Sequence, residues 1–253
     1  MSSPPAPRVR IDDSTWVLAL TGAGVSAESG IPTFRGSGGL WESQPVEWVA
    51  SPVGFRSDPA LVWRFYSHRR AHAKTCSPNP GHAALAELER RIGDRFLLAT
   101  QNVDGLHLRA GSERVVELHG NIFKTRCSVC DRPPFEDASI YDGGELPTCD
   151  QCAARGQRSL LRPHIVWFGE PLDPANMDRV LAFMRQAASG HLVFLAAGTS
   201  GVVYPAAGFV NAAGRLGAET WLVNVDPPEN VSKFERFVQG PSGQVLPGLW
   251  DYH

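Results

Sequence analysis

Trp16-Val17-Leu18-Ala19-Leu20-Thr21-Gly22-Ala23-Gly24-Val25-Ser26 is a continuous apolar run that breaks into glycines. Such a run reads as a strand buried on both faces, delivering the chain into a glycine-rich loop and a helix start. In α/β sheets that loop lets backbone approach a phosphate, and the helix start favours its negative charge. Further apolar, β-branched runs occupy residues 96–100, 115–118, 165–168, 192–196 and 220–225, each bounded by Gly, Asn, Asp or Pro. Helix-period segments at 82–91, 177–188 and 205–216 separate several of them. The alternation predicts an α/β fold, a doubly wound parallel Rossmann-like sheet with ligands beyond the carboxyl ends of its strands.

Two stretches interrupt the alternation: a Trp-rich one between Ser37 and Pro80, and a Pro/Gly-rich one between Asn121 and Arg162 that holds paired cysteines. They predict a smaller lobe made of a helical insertion and a metal module. The expected division is residues 1–36, 81–120 and 163–253 for the Rossmann-like domain, 37–80 for the insertion and 121–162 for the module. Residues 1–13, rich in Pro and Ser, read as a frayed start without the apolar core of a secretion signal.

The 253 residues carry 24 basic and 26 acidic side chains, a formal net charge of −2. That balance lacks the one-sided field of a dedicated nucleic-acid binder, and no apolar run reaches membrane-spanning length. The expectation is a cytoplasmic monomer whose partner is recognised at a local site.

Four of the five cysteines form two pairs, Cys127-x2-Cys130 and Cys149-x2-Cys152, separated by eighteen residues. This matches a four-thiolate structural zinc site, which leaves the ion no open position for water. A redox Cys-x-x-Cys is the competing reading, although one pair would suffice for it. Cys76 is a leftover thiol.

Residues just after strand ends are the candidates for chemistry. His119 follows the run at 115–118, and an imidazole titrating near neutrality suits proton transfer there. Gln101, Asn102 and Asp104 follow the run at 96–100; by residue type alone they also fit a capped, solvated turn. The glycine loop taken alone also fits any tight α/β turn. Its spacing is not that of a dehydrogenase, since Ala27 stands where a third glycine would be.

Taken whole, the stretch Thr21-Gly22-Ala23-Gly24-Val25-Ser26-Ala27-Glu28-Ser29-Gly30-Ile31-Pro32-Thr33-Phe34-Arg35-Gly36 closely resembles the signature loop of the sirtuins. The resemblance continues through Thr100-Gln101-Asn102-Val103-Asp104-Gly105, Glu117-Leu118-His119-Gly120, the cysteine pairs, Val166-Trp167-Phe168-Gly169-Glu170, Gly198-Thr199-Ser200 and Asn224-Val225-Asp226, in family order. Thr33 stands where many sirtuins carry Asp, and Asp226 where Glu is frequent.

The resemblance implies an NAD-consuming protein-lysine deacylase with His119 as general base and Asn102 beside it. It implies that Gln101, Asn102 and Asp104 line the pocket for nicotinamide and its ribose, and that Phe34 shields the site from water. Gly22, Ala23, Gly24, Ala27, Thr33, Arg35, Trp41, Gly198, Thr199, Ser200, Asn224, Asp226 and Ser242 complete the cofactor contacts. An acylated peptide would lie as an added strand against Val166, Phe168, Gly169, Glu170 and Tyr204. The products would be free lysine, nicotinamide and acyl-ADP-ribose.

Tyr66 and Arg69 are three apart in a segment that reads as helical, so they share a face. By residue type alone the pair reads first as a surface arginine above a packed tyrosine, a common arrangement. The resemblance gives them another role, since a Tyr-x-x-Arg here is similar to the acyl pocket of sirtuins that remove succinyl, malonyl or glutaryl groups. A guanidinium can pair a carboxylate bidentately, and a phenol adds one oriented donor. Other fates for the same residues are an ADP-ribosyltransferase, which breaks the same glycosidic bond, or a non-catalytic NAD- and zinc-binding module.

Overall fold

The computed structural model describes residues 7–33, 40–199 and 208–253. After β1 (Val9–Ile11), β2 (Thr15–Thr21) leads through the glycine loop into the short α1 (Ala23–Ser26). A small hairpin, β3 (Leu40–Trp41) and β4 (Gln44–Pro45), precedes the helices α2 (Val46–Val49), α3 (Pro52–Ser57), α4 (Pro59–Thr75) and α5 (Pro80–Ile92). Then come β5 (Phe96–Thr100), α6 (Leu106–Arg109), β6 (Val115–Glu117), β7 (Gly120–Cys127), β8 (Phe135–Glu136), α7 (Asp150–Ala153) and β9 (Leu161–Ile165). The chain closes with α8 (Pro174–Ala187), β10 (His191–Ala197), α9 (Phe209–Arg215), β11 (Glu219–Asn224), β12 (Arg236–Gln239), α10 (Ser242–Val245) and β13 (Trp250–Tyr252).

Six strands form one parallel sheet in the order β12-β11-β10-β2-β5-β6. The chain starts in the middle with β2, builds outward through β5 and β6, then crosses to β10 on the other side. That reversal between β2 and β10 is the topological switch point, where such sheets open a crevice. Side chains along each strand alternate between two cores. Leu18, Leu20, Leu97, Phe194 and Leu222 face α8 and α9, while Val17, Ala19, Leu98, Leu195 and Val223 face α5 and the chain ends.

The principal helices share a start signal, a capping side chain followed by proline. Asp58 Oδ1 accepts from the amide of Leu61, and Asp173 Oδ1 from that of Ala175, with Pro59 and Pro174 at the first helical position. Asn79 does the same for α5, and His82 completes a reciprocal box by accepting from the Asn79 amide. Each cap satisfies donors that the first turn leaves open, and proline there loses no bond.

The smaller lobe joins α2 to α4 with a three-stranded antiparallel sheet, order β8-β7-β9. Its main tie is Arg70 of α4, which is fully buried. Arg70 donates to the carbonyls of Ile122, Ser139 (2.9 Å) and Lys124 (3.3 Å), to Thr125 Oγ1 (2.9 Å) and to Asp137 (3.3 Å).

Two expectations change. Residues 165–168 form no strand of the parallel sheet: β9 ends at Ile165, pairs with β7, and runs on into a turn. The antiparallel sheet thus extends past residue 162. Residues 9–11 are not frayed, because Val9 and Ile11 are buried and pair with Trp250 and Tyr252 of β13.

Candidate active site

Five strand ends converge at the crevice: Thr21, Thr100, Glu117, Ala197 and Asn224. The glycine loop and the end of β10 meet backbone to backbone. The Gly22 amide donates to Ala197 O (3.0 Å) and the Gly24 amide to Gly198 O (2.8 Å). A Cβ on Gly24 would sit 2.7 Å from Gly198 Cα, and Gly198 itself has φ +59°. These glycines therefore permit loop-to-loop closure, and the amides of Gly22 and Gly24 are committed to it rather than pointing at a phosphate. Beside them lies a cleft of about 120 Å³ lined by Gly24, Ala27, Thr33, Gly198, Asn224 and Ser242, all named from the sequence. Val225 and Gly240 line it too and were not foreseen. Gly240 follows a four-residue edge strand whose outer residues are exposed, too short an apolar signal to be read. Asp226 lies exposed just past the end of β11.

Gln101 organises the reacting centre. Its carbonyl faces His119 Nδ1 at 3.0 Å, and its Oε1 accepts from Thr199 Oγ1 at 3.0 Å. A carbonyl only accepts, so Nδ1 carries the proton and Nε2 of His119 keeps its lone pair. Burial holds the His119 pKa below the usual 6.5, so the ring is neutral at neutral pH. Asn102 Nδ2 donates to Gly22 O and Ser26 Oγ, both at 3.1 Å, pinning this strand end to the glycine loop. Asp104 is buried, accepts from the Leu106 amide (2.9 Å) and is pushed up by desolvation, with Arg69 and Arg109 opposing.

Beneath these groups lies a polar layer that the sequence did not disclose. Thr21 Oγ1 bonds Thr100 Oγ1 (2.8 Å) and His107 Nε2 (2.9 Å), and Ser26 Oγ meets His82 Nε2 at 3.3 Å. Thr21, Ser26 and Thr100 stand in the motif stretches, but their bonds to one another and to His82 and His107 leave no trace in the sequence.

The four paired cysteines lie together, every sulfur within 4.8 Å of the others. Cys127 Sγ is 3.8 Å from Cys152 Sγ, and Cys130 Sγ is 3.7 Å from Cys149 Sγ. A tetrahedron of thiolates at the Zn–S distance of about 2.3 Å places sulfurs about 3.8 Å apart, which these two separations match, so the donor set fits zinc. No disulfide forms, and the amides of Val129 and Cys130 point at Cys127 Sγ (3.3 Å each), supporting negative charge on it.

A model of the Sir2 family matches residues 22–205. The chain belongs to the Sir2 family. An NAD-dependent protein deacylase of Salmonella typhimurium is 46% identical over 238 residues, covering 93% of this chain and 82% of the relative. An NAD-dependent protein deacylase 2 of Pyrobaculum aerophilum is 47% identical over 232 residues, covering 92% and 88%. A solved Sir2 homolog–NAD complex superposes with a TM-score of 0.82 at 42% identity, covering 92% of this chain and 87% of that one. A Sir2–p53 peptide–NAD complex gives 0.75 at 30% identity, covering 91% and 90%.

In this Sir2 chain the lobe opposite the glycine loop presents α4. Tyr66, 2% exposed, accepts a hydrogen bond from Trp167 Nε1 at 2.9 Å, and burial raises its pKa to about 12. Arg69 is half-buried and interacts electrostatically with Tyr66 and Asp104, with its guanidinium 5.4 Å from the Phe65 ring centre. Trp41 packs on the same helix, 5.5 Å from Phe65 and 4.8 Å from His68, rather than on the cleft.

Residues 166–170, beside which an acylated peptide is expected to lie, run from the end of β9 into a turn. Gly169 has φ +85°, and the amides of Val166 and Phe168 are bonded to His119 O (2.9 Å) and Ala50 O (3.0 Å). The Glu170 carboxylate is also engaged, accepting from both Arg162 Nη atoms (2.6 and 2.9 Å) and the Trp167 amide (2.9 Å). Phe168 and Gly169 are exposed. Phe34, Arg35, Ser200 and Tyr204 lie outside the described residues.

Proposed function

We propose that this chain is an NAD-dependent protein-lysine deacylase that acts on acidic acyl groups, succinyl, malonyl and glutaryl, as well as acetyl. One observation carries the reading. A neutral imidazole with its lone pair on Nε2 stands at the switch-point crevice, while the smaller lobe carries a buried Tyr66 and a half-buried Arg69 that interacts electrostatically with Asp104 of that crevice. Relatives named NAD-dependent protein deacylase and a neighbour solved with NAD and a p53 peptide support the activity and the substrate class.

NAD supplies an electrophilic ribose carbon, from which nicotinamide departs. Gly24, Ala27, Thr33, Gly198, Thr199, Asn224 and Ser242 hold the dinucleotide, and Gln101, Asn102 and Asp104 enclose its nicotinamide end. His119 Nε2 takes a proton from a ribose hydroxyl, a task for which its depressed pKa keeps it unprotonated. Enclosure between the lobes excludes water and orients the acyl oxygen, and positioning of this kind supplies about 7 kcal/mol or more. Cys127, Cys130, Cys149 and Cys152 hold a structural zinc ion; four thiolates complete its shell and keep it out of the reaction. Free thiols suit a reducing cytoplasm. The substrate backbone runs beside Val166, Phe168 and Gly169, reading little side-chain sequence.

Arg69 pairs the distal carboxylate of an acidic acyl group and Tyr66 adds a hydrogen bond. One peptide carrying acetyl, succinyl, malonyl or glutaryl, incubated with NAD, tests this by mass spectrometry of the products. The expected products are free lysine, nicotinamide and acyl-ADP-ribose; ADP-ribose attached to protein would assign transferase activity instead. Arg69→Met should lower the succinyl-to-acetyl ratio of kcat/KM by about 2 kcal/mol. An unchanged ratio would remove the acyl assignment.

A further inference from the structure

Tyr66 is 101 residues from the group that fixes its hydroxyl. An indole N–H only donates, so in its 2.9 Å contact with Trp167 Nε1 the phenol oxygen must accept. A phenol hydrogen prefers the ring plane, with two in-plane directions open to it. A donor filling one of them sends the hydrogen to the other, away from Trp167. Arg69, one turn along α4, is the charge that bears most on the phenol. Burial keeps that hydrogen on the oxygen throughout the working pH range, with the pKa raised to about 12.

The indole is itself locked. It is 3% exposed, and the Arg162 guanidinium lies over it, 3.3 Å from the ring centre. Phe55 packs at 5.3 Å. Glu170 grips Arg162 through both oxygens and also accepts from the Trp167 amide, so one carboxylate holds both the cation above the ring and the backbone that carries it. Arg126 adds a second cation to Glu170 at 3.5 Å. The centre of the clamp lies within residues 162–170, and the indole N–H is the group it directs at Tyr66 of α4.

We propose that Trp167, held by the Arg162–Glu170 pair, is a positioning residue for acyl selectivity: its indole N–H fixes the Tyr66 hydroxyl as a donor to an acidic acyl group. The inference rests on the acidic-acyl reading above. An acetyl group presents no carboxylate, so its turnover does not depend on where that hydrogen points. Trp167 thus discriminates without touching substrate.

The test measures kcat and KM for succinyl- and acetyl-lysine peptides in Trp167→Phe, Tyr66→Phe, the double variant and Arg69→Met. Trp167→Phe should raise KM for the succinyl peptide about three- to tenfold, with kcat little changed and the succinyl-to-acetyl ratio falling by the same factor. Tyr66→Phe should match it, and the double variant should lose no more than either single, since both abolish the same oriented hydrogen bond from Tyr66 to the acyl group. Additive losses, or equal losses on both peptides, would make Trp167 a packing residue and overturn the inference. If Arg69→Met and Tyr66→Phe lower the ratio and Trp167→Phe does not, the inference fails while the acyl reading stands. If Arg69→Met leaves the ratio unchanged, the reading fails and takes the inference with it. Should Trp167→Phe not fold, benzothienylalanine at position 167 keeps the bicycle and deletes only the N–H; the same threefold or larger drop is expected, and an unchanged ratio overturns the proposal.

Discussion

The two lobes that face each other across the site are ordered by different physics. In the larger one, six parallel strands share a continuous backbone ladder, both faces of which are buried under apolar clusters. The polar side chains that line the crevice gather at the carboxyl edge, where the ladder ends and backbone groups open. The smaller lobe has a three-stranded sheet with one two-residue strand. Its order comes from cross-links: four sulfurs about one metal shell, Arg70 drawing in three carbonyls, and Arg162 stacked on Trp167. A ladder survives the loss of any single side chain, whereas a cross-linked lobe depends on each tie. On the function proposed above, the dinucleotide would sit at the rigid edge and acyl selectivity would fall to the lobe that a few side chains determine.

Taking away the metal presses hardest on this contrast. Structural zinc contributes roughly 10 kcal/mol to folding in small modules. Chelation, or Cys149→Ser at a fully buried ligand, should abolish activity on every acyl peptide. Hydrogen exchange should speed through residues 121–165 and in α4, while β2, β5 and β10 stay protected. Retained activity with a protected small lobe would erase the distinction.

The opposite lobe fails chemically, not structurally. His119→Tyr removes the proposed base but leaves the ladder intact, so kcat should fall about 10²- to 10⁴-fold with the thermal midpoint nearly unchanged. Turnover at the wild-type rate would dissolve the reacting centre.

The same contrast explains what could be read from the sequence. Strands β2, β5, β10 and β11 are legible because central parallel strands must be apolar on both faces, and their runs have no other cause. The glycine loop and cysteine pairs are legible because their chemistry is contiguous along the chain. Edge strand β12 escaped because its two outer residues are exposed, and β1 because its partner lies at the far end of the sequence. The run at 165–168 misled because Trp167 is apolar for another reason: it packs on Phe55 and serves Tyr66. Arg70 and its carbonyl partners follow no period. Long-range cross-links leave no local pattern, so the cross-linked lobe was the harder one to read.

The smallest effect separates the lobes by proton uptake. In the larger lobe His82 is fully buried, and its Nδ1 accepts from the Asn79 amide as part of the α5 cap. Protonation there would set two donors against each other, and burial lowers the pKa from 6.5 to about 4. His107, 4.7 Å away, is held well below its usual value by the same desolvation. Between pH 6.5 and 4 the unfolded chain binds protons that the fold refuses. Stability is therefore unaffected by these rings above 6.5 and declines as pH falls toward the folded value. A shift of this size amounts to about 3 kcal/mol for His82 once pH is below both values. His82→Gln keeps an acceptor for the Asn79 amide but cannot titrate. Urea unfolding at pH 7 and pH 5 should find that this variant loses about 2 kcal/mol less than the wild type over that interval. Zinc-ligand protonation acts equally on both proteins and cancels in the comparison. Parallel losses would mean that His82 takes up its proton in the folded state, and that the polar layer beneath the crevice is wetter than its burial implies.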